Sequence, residues 1–167
     1  IPAKDHLFID TISNPNNIWQ IGKPNKSIFN NAYSVPNAII TDTTHTYPIN
    51  DMSSFIIKNT ANYGFYFLYE VSIAGYYNVN TDTLTDYGKI EFSSDNGNTW
   101  IDLLKDTIYN SYIKWSGAKP VFSGNSNGWK HFEVDVKQLG PILNIHLGDT
   151  ILYLFTFISD SIQTNKD

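Results

Sequence analysis

The sequence predicts an all-β domain, and three observations carry that expectation. Apolar and polar residues alternate with a period of two along most of the chain, where a helix would repeat every three or four positions. Aromatic residues make up 15% of the 167 residues, as 11 Tyr, 10 Phe and 4 Trp, and these side chains favour a pleated, half-buried surface. Between the alternating runs lie SNPNN, GKPNK, NVNTDTLTD and SGNSNG, built from the Gly, Pro, Asn and Asp that turns require.

Taken in order, strands are expected at HLFIDTI (6–12), IWQI (18–21), NAIIT (37–41) and SSFIIKN (53–59). GFYFLYEVSIA (64–74) reads as a long central strand, with Phe65, Phe67, Tyr69, Val71 and Ile73 on one face and Tyr66, Leu68, Glu70, Ser72 and Ala74 on the other. GKIEFSS (88–94), TWIDLL (99–104) and TIYNSYIKW (107–115) follow. WKHFEVDV (129–136) alternates cleanly, Phe132, Val134 and Val136 inward against His131, Glu133 and Asp135 outward. TILYLFTFIS (150–159) is apolar on both faces, as expected of a strand in the middle of a sheet or covered on each side. One helical turn, around VKQLG (136–140), completes the set. Many strands of uneven length joined by polar connections point to a single domain over residues 1–167, a two-sheet antiparallel β-sandwich with jelly-roll topology.

Composition narrows the function. A chain of this length closes a core without disulfides, and with no cysteine it has neither thiolate nucleophile nor Cys-based zinc site. The net charge is -5 and every basic residue is a lysine, which leaves no guanidinium fork for phosphate or guanine and argues against a nucleic-acid partner. No apolar run approaches the roughly 20 residues of a membrane span, so membrane insertion is not expected. Because IPAKDHLFID lacks the layout of a signal peptide, the chain reads as a mature piece or a module excised from a larger protein.

SSDNGNTW (93–100) has the Ser-x-Asp-x-Gly-x-Thr-Trp spacing of an Asp box. Asp95 and Asn96 are expected to open a turn, Gly97 to take a positive φ, and Thr99 and Trp100 to start the returning strand, with Trp100 packed on the core. A single copy in a chain too short for a propeller indicates a hairpin and not sugar cleavage.

Several stretches in order carry a family likeness: IWQIGKP with Trp19, Gly22 and Pro24, then NAYSVPNAIITDTTHTYP with Ala32, Ala38, Thr41 and Tyr47, then SSFIIKN, GFYFLYEVSIA, KIEFSSDNGNTWIDL, FSGNSNGWKHFEVDV and ILYLFTFISD. This set resembles the MAM-like jelly-roll modules of secreted bacterial proteins and, more distantly, the cleaved-adhesin modules of surface proteases. The resemblance covers nearly the whole chain and departs at its end, where such modules continue from a Ser-Asp like Ser159-Asp160 into a Gly-Trp-x-Ile-Asp strand absent here. It implies a non-catalytic accessory module, secreted or on the cell surface, that recognises a carbohydrate or protein surface or spaces neighbouring domains.

The resemblance also implies a structural Ca²⁺, for which Asp10 on the first strand and Asp160 after the last are the natural pair, because terminal strands of a sandwich can be neighbours. For a glycan the expected signature is exposed rings, with Tyr76 and Tyr77 opening one polar loop and Tyr109, Tyr112 and Trp115 near another. Trp19, Trp100 and Trp129 sit at strand boundaries and read as core anchors. A jelly-roll glycosidase is the enzymatic alternative. It would need two carboxylates from Glu70, Glu91 and Glu133 about 5 to 5.5 Å apart, whereas their alternation with apolar residues reads as solvated strand faces. His6, His45, His131 and His146 show no metal-binding spacing, and Asn25-Lys26-Ser27 fits the glycosylation sequon.

Overall fold

A computed structural model describes residues 6–61, 73–103, 105, 113–115, 122–134 and 142–162. Among them all regular structure is strand, arranged in antiparallel sheets consistent with a β-sandwich. The strands are β1 (Leu7–Ile9), β2 (Trp19–Gly22), β3 (Ala38–Thr41), β4 (Met52–Thr60), β5 (Ile73–Tyr77), β6 (Tyr87–Ser93), β7 (Ile101–Asp102), β8 (Ile113–Trp115), β9 (Phe122–Ser123), β10 (Lys130–Val134) and β11 (Thr150–Ile158). No helix among the described residues is long and apolar enough to cross a membrane. The expected turn at VKQLG lies outside them.

The largest sheet runs β1-β4-β11-β6-β7, with β9 also paired to β6. β11 lies between β4 and β6, in register from Thr150↔Thr60 to Ile158↔Met52 on one side and from Leu152↔Ser93 to Ile158↔Tyr87 on the other. That is where a strand apolar on both faces belongs, since a central strand exposes no backbone edge. Its Ile151, Tyr153, Phe155 and Phe157 are buried, and Leu152 and Leu154 on the opposite face are half-buried. A second sheet has the order β5-β10-β8, and β2 and β3 form a separate hairpin.

All three sheets contribute to one apolar core. Phe55 of β4 stacks on Phe155 of β11 at 4.7 Å and 2°, Trp19 of β2 meets Phe55 edge-on at 4.7 Å, and Phe132 of β10 meets Phe155 edge-on at 6.1 Å. These separations fall within the range that aromatic pairs favour. Ile90, Phe92, Leu103, Val134 and Ile151 are fully buried in the same cluster.

A polar node closes one end of the large sheet. Asp86 has no solvent exposure, and its carboxylate accepts the Tyr47 hydroxyl at 2.7 Å and the Asp160 backbone N–H at 2.8 Å. Its carbonyl oxygen accepts the hydroxyls of Thr81 at 2.9 Å and Ser123 at 2.8 Å. One residue thus ties the β5–β6 connection to the β3–β4 connection, to the segment after β11 and to β9. Nearby, Ser53 donates to Asp51 Oδ1 at 3.1 Å, while Asp51 Oδ2 is buried without a hydrogen-bond partner and burial pushes that carboxyl upward.

The Asp box forms the β6–β7 hairpin. Asp95 accepts the Thr99 N–H at 2.9 Å, the Thr99 hydroxyl at 2.6 Å and the Ser93 hydroxyl at 2.8 Å, while Asn96 and Gly97 take φ of 60° and 87°. Because Thr99 is used as the cap, the return strand is shorter than TWIDLL suggests and begins at Ile101. A Cβ at Gly97 would stand 3.5 Å from both Trp100 and Leu152. Leu152 alternates with the buried Ile151 and Tyr153, so Trp100 comes down beside the outer face of the sheet and not on the core.

Hydrogen bonds, led by the one from the Thr99 hydroxyl, hold the Asp95 carboxyl at about 2 against its ordinary 3.8. A carboxylate depressed on folding stabilises the fold above its unfolded value and loses that contribution as pH falls through the folded one. Asp95→Asn is therefore expected to lower Tm at pH 7, and thermal melts of the two proteins should converge as pH is taken from about 4 to about 2.

Candidate functional site

GYY (75–77) was expected to open a loop, but it continues β5, and strand alternation sends its two tyrosines to opposite faces. Tyr77 turns inward, edge-on to Phe122 at 4.9 Å and to Phe132 at 6.4 Å, and burial pushes its hydroxyl upward. Tyr76 turns outward and is 44% exposed. Opposite Tyr76 on β10 stands His131, whose ring is edge-on at 5.3 Å.

Two further rings reach Tyr76 from elsewhere in the chain. The 23–37 connection between β2 and β3 is pinned down at its start. Pro24 and Lys26 are buried, the Asn25 N–H donates to Thr43 O at 2.9 Å, and Lys26 Nζ donates to Thr41 O at 2.7 Å. Ala32, buried beyond it, sets the next residue over β5. Tyr33 lies on Tyr76 with ring centroids 3.6 Å apart and planes within 13°, and the two hydroxyls share a hydrogen bond that raises the Tyr33 phenol above 10.0. Tyr33 is itself 52% exposed.

Trp129 arrives through SGNSNG. Asn127 and Gly128 take φ of 52° and 98°, and the turn is laced to the chain after β5 by Thr81 N–H to Gly124 O at 2.9 Å and Ser126 N–H to Val79 O at 3.0 Å. β10 then starts with Lys130 opposite Tyr77. Trp129, half-buried, stands 6.0 Å from Tyr33 at 65°. Its position before a strand suggested a core anchor, yet it belongs to this outer group because the turn ends on the solvent side of β5.

Tyr33, Tyr76 and Trp129 line the mouth of a cleft of about 850 Å³, together with the exposed Asn31, Ser34 and Asn37. The same cleft is lined by the core residues Trp19, Phe55, Ile57, Ile73, Phe132 and Phe155 and by the buried Tyr47, Asn80, Thr81 and Thr156. Aromatic faces beside amides can hold a ring whose two faces are apolar and whose edge is polar.

The other expected site residues fall elsewhere. Tyr109, Tyr112 and Glu70 lie outside the described residues, and Trp115 ends β8 in register with Phe132. Asp10 and Asp160 are not on neighbouring strands, because β4 runs between β1 and β11. Asp10 accepts the N–H groups of Ile12 at 2.9 Å and Ser13 at 3.0 Å and also the Ser13 hydroxyl, and Asp160 accepts the Ile162 N–H at 2.7 Å. Both carboxylates thus serve their own turns, and among the described residues no group of three or more His, Cys, Asp or Glu gathers as a metal ligand set.

Glu91 pairs with Lys89 at 2.9 Å and alternates with the core residues Ile90 and Phe92, while Glu133 in the other sheet alternates with Phe132 and Val134. The two point away from the core they flank and do not converge. His45 and His146 pair with Asp42 at 3.3 Å and Asp149 at 3.6 Å.

Tyr33 and the outward role of Trp129 were missed in the sequence. Continuing the alternation of GFYFLYEVSIA for three more residues would have separated Tyr76 from Tyr77, but no local pattern marks Tyr33 as its stacking partner. Comparison with protein-family models, curated proteins and solved structures gave no match to this chain.

Proposed function

We propose that this chain is a non-catalytic binding module of a secreted or surface multidomain protein, a jelly-roll β-sandwich that holds a glycan against Tyr33, Tyr76 and Trp129. The observation that carries this reading is the meeting of those three rings at the mouth of a cleft whose rim also bears exposed amides. A pyranose presents C–H groups on its faces and hydroxyls around its edge, so it matches a surface of ring faces flanked by Asn side chains. The Tyr33–Tyr76 stack and the SGNSNG lacing hold the rings before any ligand arrives, which reduces the ordering cost of binding. Recognition then works through preformed shape.

Affinity gel electrophoresis against a panel of soluble polysaccharides, followed by titration with the retained one, tests the proposal. Tyr76→Ala and Trp129→Ala are each expected to weaken binding about tenfold or more, with little change in Tm for the exposed Tyr76. Absence of retention by every polysaccharide, or retention that neither substitution reduces, would overturn it.

A further inference from the structure

The cleft lined by the three rings is also lined by core residues, among them Ile73 and Phe132 on the opposite face of β5 and β10 from Tyr76, with β5 last in the order of its sheet. Trp19, Phe55, Ile57, Ile73, Phe132 and Phe155 present ring and aliphatic carbon there, beside the buried Asn80 and the buried Tyr47, Thr81 and Thr156, whose hydroxyls are hydrogen-bonded to Asp86, Asp86 and Ser54. Lys58, Lys89 and the exposed His6 also border the space, and Lys89 is engaged with Glu91 at 2.9 Å. Among the described residues no carboxylate borders it.

At about 850 Å³ the space falls in the upper part of the range of small-molecule sites, and it is larger than a monosaccharide at the mouth requires. Water between Ile57, Ile73 and Phe132 would need two to four polar partners per molecule, which those side chains do not supply. A hydrocarbon chain gains from the same transfer with every methylene.

We infer that the ligand is an amphiphile of the glycolipid type, with its sugar headgroup on Tyr33, Tyr76 and Trp129 and a single alkyl chain running inward between Ile57, Ile73 and Phe132. This inference rests on the glycan reading for its headgroup and on the apolar walls for its tail. A neutral tail suits the stretch between Ile57, Ile73 and Phe132, where an ionised group would find no partner.

The test is calorimetric titration of the wild-type chain with alkyl glycosides of increasing chain length, each below its micelle-forming concentration, alongside the free sugars and the matching alkyl alcohols. Affinity is expected to rise about fourfold per added methylene until the cleft is filled, and to fall when the sugar is removed or Tyr76 is replaced by Ala. Binding of sugars with no dependence on chain length would overturn the amphiphile while leaving the glycan reading intact. Alcohols binding as tightly as their glycosides would overturn both. Ile57→Trp, which narrows the cleft, should flatten the chain-length dependence and spare the headgroup. The series on the wild-type chain decides the matter even where that variant does not fold.

Discussion

Replacing Phe155 by Ala is expected to cost about 3–5 kcal/mol of unfolding free energy, the largest effect of any single substitution considered. Phe155 is only 9% exposed, and its ring is shared by Phe55 of its own sheet at 4.7 Å and Phe132 of the β5-β10-β8 sheet at 6.1 Å. Truncation removes the transfer energy of the ring and leaves a space that stiff neighbouring strands fill poorly. Set against a net stability of about 5–15 kcal/mol, the loss would lower Tm by roughly 6–20 °C. Phe155→Leu keeps much of the volume and should lose considerably less. Urea unfolding of the three proteins measures both values. A loss below about 1 kcal/mol for Phe155→Ala would mean that the two sheets do not share this core.

Asp86→Ala is expected to cost about 2–4 kcal/mol although it touches no apolar contact of the core. The carboxylate is fully buried and receives the Tyr47 hydroxyl at 2.7 Å and the Asp160 N–H at 2.8 Å. Both donors would lose that acceptor away from water, and an unmade buried hydrogen bond is more expensive than a made one is favourable. Tyr47→Phe removes one donor and should cost about 1 kcal/mol. A double-mutant cycle of Asp86→Asn with Tyr47→Phe should show coupling of about 0.5 kcal/mol or more, because the two groups meet directly. Independent, additive effects would remove the hydrogen bond from the account of this node.

How far the fold is legible in the sequence varies from element to element. β11 was readable because apolarity on both faces has few explanations besides a mid-sheet position, and β4 and β6 do flank it. The β6–β7 hairpin was readable because Ser93, Asp95, Gly97 and Thr99 satisfy one another within the same short stretch. The calcium pair was not, because whether β1 and β11 are neighbours depends on where β4 inserts, and no residue near Asp10 or Asp160 encodes that.

The candidate site was half legible. Tyr76 was named, although on the expectation of a loop. Tyr33 lies 43 residues before it and Trp129 lies 53 after it. Their meeting depends on how the 23–37 connection is anchored by Asn25 and Lys26 and how the 123–128 turn is laced to the chain after β5.

What the sequence by itself determined is local: which stretches are strands, which of their faces are apolar, and where a short polar side chain can cap a turn. These follow from two-residue periodicity and near-neighbour hydrogen bonds, which act within a few positions. Only the tertiary structure decided which strands are neighbours, which tyrosine of GYY reaches solvent, and that rings from three distant segments meet over one cleft. Those outcomes depend on sheet register and loop anchoring, where a shift of one residue exchanges the buried and exposed faces of a strand, and the contacts that set the register join residues far apart in the chain.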